Sequence, residues 1–176
     1  IYFSEKPITF VAKLETEKFP FVGSVMKALQ GQFLDRENLR QSVKVIQAIE
    51  AHIKSKTCSV AIFPEGTRNK KIVGDLPEFH SGTFKPGFRC ACPVLPVSLF
   101  GNQRLLSKQF KFKRYPVEVT YLPYQIPNKE IDDTVSLSLK YHDLIAGEFY
   151  HLRDEVDASF LANQYEKIPL RKGSVR

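Results

Sequence analysis

The sequence predicts an α/β fold with a mixed central β-sheet flanked by helices. Two observations lead to this class. Short runs of β-branched and apolar residues alternate along the chain with longer segments that have helical periodicity. The run at 58–63 is almost continuously apolar, which is typical of a strand covered on both faces. Strands and helices that alternate in this way favour helical layers packed against a sheet.

Five segments are predicted to be strands because they are rich in β-branched and apolar residues. They are 8–12, 32–35, 58–63, 92–100 and 116–122. The fourth contains two prolines, which cannot donate to a strand ladder, so it is expected to lie at an edge or to be irregular. The fifth alternates between apolar and polar residues, which is typical of a half-buried strand.

Three helices are predicted between and after these strands. The first occupies 23–31 and is bracketed by glycines. The second occupies 38–54 with Asn38 as its N-cap, and its apolar residues recur at intervals of three and four, so they form one face. The last begins at a cap formed by Asp132 or Asp133 and also has an apolar side.

Composition indicates a globular chain that is attracted to anions. Its 176 residues suit one domain, predicted at 1–163, with 164–176 as a flexible basic tail. Lys and Arg number 26 against 19 acidic residues, giving a net charge of +7. Such a chain is drawn to nucleic acid, anionic membrane or a phosphorylated substrate. Nucleic acid is disfavoured because no recognisable basic helix or aromatic sheet motif occurs.

The three cysteines, Cys58, Cys90 and Cys92, are an odd number without a repeated spacing. They are expected to be free, buried thiols in a reducing cytosol, and neither a disulfide nor a metal site is predicted. No apolar run approaches the roughly 18 residues that a membrane-spanning helix needs.

A charged turn follows the predicted strand at 58–63. It contains Glu65, Gly66, Thr67 and Arg68, and ligands of α/β sheets usually bind beyond strand ends. Gly66 would let the backbone approach a ligand, Thr67 would add a hydroxyl donor, and Glu65 would orient the turn or the arginine. The guanidinium of Arg68 is a planar fork that suits two phosphate oxygens. The alternative is a surface turn with an incidental Glu–Arg pair.

Several blocks, in order, resemble the 1-acylglycerol-3-phosphate acyltransferase (lysophosphatidate acyltransferase) superfamily. The first block is a lysine-bearing segment that runs through a Pro-x-x-Gly helix start to an aromatic-apolar-Asp-Arg end. Its positions are Lys13, Pro20, Gly23, Gly31, Phe33, Leu34, Asp35 and Arg36. The hexapeptide Phe-Pro-Glu-Gly-Thr-Arg is unchanged at 63–68. A Gly-x-x-Lys helix start at 82–85 and an apolar-Pro-apolar strand at 94–97 complete the resemblance, which covers roughly residues 8–125 and implies a glycerol-3-phosphate acyltransferase-like fold.

The resemblance implies that Arg68, Arg36 and Lys13 hold the phosphate of a glycerol phosphate. Thr67 and Gly66 are expected to contribute to the same site through a hydroxyl and a closely approaching backbone. Three further residues of the matched blocks are predicted to support it: Pro64, Glu65 and Gly82.

Two of these assignments have alternatives. Lys13 would otherwise be a solvated lysine, and Arg36 would otherwise form a helix-flanking salt bridge with Asp35 or Glu37.

The implied reaction is acyl transfer from a thioester, acyl-CoA or acyl carrier protein, to the free hydroxyl of 1-acylglycerol 3-phosphate. No cofactor or metal is expected. Such chemistry needs a general base and a carboxylate that orients it. The superfamily supplies them in a His-x-x-x-x-Asp block upstream of the lysine-bearing segment, but Thr57, Lys85, Gly147 and Val156 stand five places after the four histidines. No catalytic residue is therefore predicted in this chain, and the domain is expected to be incomplete at its N-terminus.

Two alternatives to this function stay open. The chain would instead be a non-catalytic remnant that binds lipid or phosphate, or an acyltransferase for glycerol 3-phosphate or another lysophospholipid. His80 lies near acidic residues, Asp75 and Glu78, but the superfamily has no base at that place.

A membrane contact is predicted at 104–114, which combines five basic and four large apolar side chains with no acidic one. Basic and apolar side chains together suit an anionic leaflet. The predicted contact residues are Arg104, Lys108, Phe110, Lys111, Phe112, Lys113 and Arg114. The expected location is the cytoplasmic face of a membrane, either peripheral or anchored by an upstream segment. The alternative is a solvated basic loop.

Overall fold

The computed structural model describes residues 6–35, 38–67, 75–102, 104 and 117–157. Their strands are β1 (Ile8–Lys13), β2 (Gln32–Leu34), β3 (Ser59–Ala61), β4 (Val97–Phe100) and β5 (Glu118–Tyr121). Their α-helices are α1 (Pro20–Ala28), α2 (Leu39–Ser55), α3 (Lys85–Cys90) and α4 (Thr134–Leu152). The predicted class, α/β with helices flanking strands of mixed direction, is confirmed.

The chain divides into two compact units. The first takes in 1–67, 78–94 and 124–140, and the second takes in 68–77, 95–123 and 141–176. The single domain expected over 1–163 stays a prediction.

The first unit contains a parallel sheet with the strand order β2-β1-β3. Lys13 pairs with Leu34 on one side of β1, and Phe10 pairs with Ala61 on the other. Parallel neighbours need crossover connections, and here α1 joins β1 to β2 while α2 joins β2 to β3. The carboxyl ends of all three strands therefore lie at one edge of the sheet, together with the first turns of α1 and α2.

Helix α1 begins three residues before its predicted start. Pro20 occupies its first turn, where the missing N–H has no helical partner to lose. Gly23 is buried, and a Cβ there would collide with the carbonyl oxygen of Glu17 in the preceding 3₁₀ turn, Leu14–Lys18. The glycine of the Pro-x-x-Gly block therefore lets α1 pack directly against the backbone of that turn.

Helix α2 has nearly the predicted bounds and the predicted N-cap. The side chain of Asn38 accepts a hydrogen bond from the backbone N–H of Gln41 at 3.1 Å, as an N-cap does. Ile49 of the predicted apolar face is buried, but Leu39 and Val43 of that face are 78% and 44% exposed. Val45, which lies outside the predicted face, is buried instead. The helix ends where Lys56 adopts a left-handed conformation, with φ of 55°.

The strands predicted at 58–63 and 92–100 are much shorter in the structure. β3 ends at Ala61, and Phe63, which was expected inside a covered strand, is 53% exposed because it belongs to the turn beyond. The segment predicted at 92–100 contains a strand only from Val97 onward, since prolines at 93 and 96 remove ladder donors. An isolated bridge pairs Val94 with Gln125.

The three cysteines are free, as predicted, but each is only half-buried. Burial raises the pKa of the Cys92 thiol, and its neighbour Cys90 adds to the shift.

The second unit contains an antiparallel pair, β4 and β5, in which Phe100 lies opposite Glu118. Phe100 is 1% exposed and meets the ring of Phe149 edge to face at a centroid distance of 5.4 Å. Tyr141, also on α4, is buried in the same unit. The core of this unit is therefore strongly aromatic.

The predicted membrane contact of Arg104 is wrong. Its side chain is 1% exposed, and its guanidinium carbon lies 5.3 Å from the centre of the Phe100 ring. A side chain buried in this way cannot reach a lipid surface. The other six predicted contacts, at 108 and 110–114, lie outside the described residues. In the described part of the chain, no helix has both the length and the apolar character needed to span a membrane.

Candidate functional site

The hexapeptide at 63–68 forms a tight turn beyond the carboxyl end of β3. The backbone N–H of Gly66 donates to the carbonyl of Phe63 at 3.2 Å, which closes the turn. Gly66 has φ of 62°, in the left-handed region that favours glycine. Pro64 and Glu65 are half-buried within the turn, whereas Thr67 is exposed. The glycine of the hexapeptide is thus required by the backbone itself.

A second block of the resemblance lies against this turn. The backbone N–H of His80 donates to the carbonyl of Pro64 at 3.0 Å. The 3₁₀ turn Ser81–Phe84 follows at once and leads into α3. At Gly82 a Cβ would meet nothing within 4 Å, so this glycine borders open space. The structure therefore brings Gly82 close to the hexapeptide turn, as the order of the blocks suggests.

Lys13 lies at the carboxyl end of the central strand β1. Its side chain is 60% exposed, and its ammonium group forms a 2.9 Å ion pair with Glu15. The hydrogen bond from Lys13, followed by one from the backbone, lowers the pKa of the Glu15 carboxyl. Lys13 is thus accessible to a ligand, but an incoming phosphate would have to displace a carboxylate.

The backbone before Arg36 is held by side chains from the first turns of α2. Gln41 donates from Nε2 to the Phe33 carbonyl at 2.5 Å and accepts from the Asp35 N–H at 2.9 Å. The hydroxyl of Ser42 donates to the Asp35 carbonyl at 2.7 Å. Sequence reasoning missed both residues. The only signal was two polar residues shortly after a matched block, at the start of an amphipathic helix.

Arg36 and Arg68 themselves lie outside the described residues. Their neighbours Asp35 and Thr67 lie beyond the carboxyl ends of β2 and β3, with Lys13 on the strand between. Adjacent strands are about 4.8 Å apart, so the ends of β2 and β3 are roughly 10 Å apart. An arginine side chain can bridge half of that distance. The convergence of Arg36, Arg68 and Lys13 on one phosphate stays a prediction that this topology permits.

The second unit contains two histidine–carboxylate contacts. His142 Nδ1 lies 3.4 Å from Asp143 and its Nε2 lies 3.5 Å from the Leu76 carbonyl. His151 Nε2 lies 3.5 Å from Glu155. Neither pair has the His-x-x-x-x-Asp spacing.

Comparisons with known proteins agree with the family that the blocks resemble. The family model described as Acyltransferase matches residues 1–100. A probable 1-acyl-sn-glycerol-3-phosphate acyltransferase of Mycoplasma genitalium is 33% identical over 112 residues, which make up 64% of this chain and 40% of that protein. A lysophospholipid acyltransferase of Arabidopsis thaliana is 30% identical over 163 residues, covering 82% of this chain and 29% of that protein.

One solved structure has a similar fold. The crystal structure of the 1-acyl-sn-glycerophosphate acyltransferase PlsC from Thermotoga maritima matches with a TM-score of 0.65 and 23% identity, over 82% of this chain and 56% of that one. The chain spans only 40% of the length of the Mycoplasma genitalium relative, and 41% of the length of a probable 1-acyl-sn-glycerol-3-phosphate acyltransferase of Mycoplasma pneumoniae.

Proposed function

Because the chain belongs to the acyltransferase family, we propose that its protein transfers a fatty acyl group to the free hydroxyl of 1-acylglycerol 3-phosphate in phospholipid biosynthesis. The acyl donor is a thioester, acyl-CoA or acyl carrier protein. The observation that supports the proposal is the edge of the parallel sheet where Lys13 ends β1. Asp35 and Thr67, which directly precede Arg36 and Arg68 in the sequence, follow β2 and β3 at that edge. A phosphate monoester is the anion that such a set of cations suits.

The acceptor phosphate is assigned to Arg68, Arg36 and Lys13. The arginines would each offer two N–H groups to two phosphate oxygens, and the lysine would add a point charge. Thr67, which precedes Arg68 in the sequence, is exposed and would donate from its hydroxyl, while Gly66 keeps the turn backbone free of a side chain. Fixing the phosphate positions the free hydroxyl for attack on the thioester carbonyl.

The reaction also needs a base to remove the hydroxyl proton and a carboxylate to orient that base. The histidines of residues 1–176 do not provide the His-x-x-x-x-Asp pair, so the proposal takes both groups from outside this sequence. It also places the enzyme at the cytoplasmic face of a membrane, with residues 108 and 110–114 in contact with anionic lipid.

The test compares two lengths of the protein. The 176-residue chain alone should show no acyl transfer to lysophosphatidate above background, whereas the chain extended by its upstream coding sequence should transfer acyl groups. In the extended protein, Arg68→Lys should lower kcat/KM for the acceptor by about 10- to 100-fold, because charge is kept but the bidentate fork is lost. An unchanged kcat/KM would contradict the assigned role of Arg68.

A second candidate function is kept because residues 1–176 contain no His-x-x-x-x-Asp pair. It is a non-catalytic remnant that binds phosphate or lipid. An upstream sequence without His-x-x-x-x-Asp, together with glycerol 3-phosphate binding by the 176-residue chain, would favour it. Turnover with glycerol 3-phosphate or another lysophospholipid, and none with lysophosphatidate, would instead redefine the acceptor.

A further inference from the structure

Gly82 differs from the other described glycines of the first unit, where crowding or backbone conformation accounts for the glycine. Gly23 and Gly31 leave no room for a Cβ, because it would collide with a preceding carbonyl or side chain. Gly66 has the positive φ that favours glycine, and at Gly87 a Cβ would lie 3.1 Å from a neighbouring side chain. At Gly82 neither reason applies: a Cβ would meet no heavy atom of the described chain within 4 Å, and φ is not left-handed.

The open space at Gly82 is a recess in a well-held turn. Gly82 itself is half-buried, so the space beside it is not simply an exposed helix surface. The turn is closed by the backbone N–H of Thr83, which donates to the carbonyl of His80 at 3.0 Å. The rings of Phe79 and Phe84, on either side of the turn in the sequence, stack with a centroid distance of 6.4 Å. The shape of the recess is therefore fixed by backbone and aromatic contacts.

The same turn carries three polar side chains that the fold does not use. His80 is exposed, and Ser81 and Thr83 are half-buried. In the part of the chain that the structure describes, none of these three side chains forms a hydrogen bond or an ion pair. An imidazole and two hydroxyls can each donate and accept, and residues 80–83 include no carboxylate or ammonium group. This set suits the neutral hydroxyl and ester oxygens of a ligand.

A backbone hydrogen bond joins this turn to the hexapeptide turn. The N–H of His80 donates to the carbonyl of Pro64 at 3.0 Å, and Pro64 lies inside the turn that Gly66 closes. Consecutive Cα atoms are 3.8 Å apart, so Gly82 is at most about 7.6 Å beyond His80. A ligand whose phosphate is held at the hexapeptide turn therefore has the atoms next to its phosphate within reach of the recess.

We propose that the turn at 80–83 is the glycerol subsite of the acceptor. The glycerol backbone enters the recess at Gly82, and the side chains of His80 and Ser81 form hydrogen bonds with its oxygen atoms. Gly82 is then a specificity-determining residue, because the absence of a side chain lets the ligand approach the backbone. The inference rests on the proposed function, which places the acceptor phosphate at the adjoining turn. His80 binds substrate in this subsite and does not replace the general base.

The test is calorimetric titration of the 176-residue chain with two phosphate monoesters, glycerol 3-phosphate and methyl phosphate, at about pH 8, where both are dianions. Methyl phosphate has the same charged group but lacks the glycerol, so the parent should bind it about tenfold more weakly. Gly82→Leu fills the recess and should remove this preference, while its affinity for methyl phosphate stays within about twofold of the parent. The matched control is Gly147→Leu, which also adds a side chain to open space and should change neither affinity.

The hydrogen bonds of the subsite are tested at His80. His80→Ala should weaken glycerol 3-phosphate binding by about fivefold, as expected for the loss of one hydrogen bond. His80→Gln keeps a donor and an acceptor on the side chain and should bind within about twofold of the parent. Neither change should alter the affinity for methyl phosphate.

Melting temperatures separate ligand binding from packing. Gly82→Leu should melt within about 2 °C of the parent, because the added side chain enters open space. A melting temperature lowered by more than about 5 °C would mean that protein fills the recess and would overturn the inference. An unchanged preference in Gly82→Leu, or equal affinities of the parent for the two esters, would also overturn it while the phosphate site stands. If the parent binds neither ester, the phosphate site of the proposed function fails, and the glycerol subsite fails with it.

Discussion

Two pairs of phenylalanines, one pair in each compact unit, differ sharply in their burial. In the second unit Phe100 and Phe149 are 1% and 7% exposed and pack against each other. In the first unit Phe19 and Phe21 are 61% and 81% exposed, although they belong to a helix start that matches a family block. Phe100 and Phe149 thus contribute to the cohesion of the second unit. Phe19 and Phe21 lie at the edge where a ligand is expected, and the first unit gives up their burial energy there.

Cationic side chains also differ in burial between the two units. Arg104 is buried in the second unit above the Phe100 ring, whereas Lys13, Arg40 and Lys44 are exposed in the first. A buried guanidinium is fixed by its surroundings, while exposed cations can exchange partners. Residue type alone therefore does not separate a structural cation from a binding one, and the packing of each unit decides the role.

The largest expected effect comes from replacing one phenylalanine in each unit. Phe100→Ala should lower the free energy of unfolding by about 3–5 kcal/mol, because it opens a cavity in an aromatic core. Phe21→Ala should change that free energy by no more than about 0.5 kcal/mol, because its side chain is mostly in water. Urea denaturation measures both. If both variants lost similar amounts of unfolding free energy, the proposed difference between the two units would be wrong.

Replacing either of two glycines with alanine should change the free energy of unfolding by a smaller amount. The two changes should have opposite signs. Gly23→Ala should destabilise the first unit by about 1–3 kcal/mol, because the new methyl group collides with the Glu17 carbonyl. Gly147 lies exposed within α4, where a Cβ meets nothing within 4 Å. Gly147→Ala should therefore stabilise the protein by about 0.5–1 kcal/mol through helix propensity. Thermal unfolding distinguishes them, and a stabilising Gly23→Ala would mean that α1 does not pack on the preceding turn.

The next prediction concerns Gln41, which positions the backbone beside Arg36. Gln41→Ala removes its hydrogen bonds to Phe33 and Asp35 and should cost about 1–2 kcal/mol of stability. It should also weaken glycerol 3-phosphate binding several-fold by loosening the loop. Gln47→Ala, on an exposed part of the same helix, is the control and should change neither quantity. Loss of stability with unchanged phosphate affinity would reduce Gln41 to a structural role.

Much of the first unit could be predicted from the sequence because local signals there agree with the fold. Asn38 caps α2 and the helix has nearly its predicted bounds, so tertiary contacts there reinforce a local preference. Packing decides which of its apolar residues are buried, since Leu39 and Val43 of the predicted face are exposed. The hexapeptide turn was recognisable from its glycine, which does adopt a positive φ. The convergence of the arginines could not be derived this way, since it depends on strand order rather than on any local pattern.

The errors arose where non-local packing decides the outcome. Arg104 opens a cationic segment and looks solvated, but the ring of Phe100 and the surrounding core enclose it. Phe63 continues an apolar run, yet the turn closed by Gly66 carries it out of the strand. The roles of Gln41 and Ser42 depend on hydrogen bonds to the carboxyl end of β2. The periodicity of the sequence does not predict such bonds.

The smallest expected effect tests whether Lys13 can exchange its ion pair with Glu15 for a contact with phosphate. Lys13 is held by Glu15, whose pKa is lowered first by the hydrogen bond from Lys13, and a phosphate must compete with that carboxylate. Glu15→Gln should therefore raise the affinity for glycerol 3-phosphate at pH 7 by about two- to threefold, as expected for a weak exposed ion pair. Glu17→Gln, which releases Lys27 instead, should leave the affinity unchanged.

The pH dependence has a definite sign. A lowered carboxyl pKa means that Glu15 stays charged and competitive at neutral pH, and its pairing with Lys13 is lost only as the pH falls below the usual range of glutamate. The ratio of affinities between Glu15→Gln and the parent should therefore be constant from pH 8 to about pH 5 and approach one below it. Taking the ratio removes the titration of the phosphate itself, which both proteins experience equally. Equal affinities at pH 7, measured by calorimetry, would show that Lys13 does not contact the phosphate.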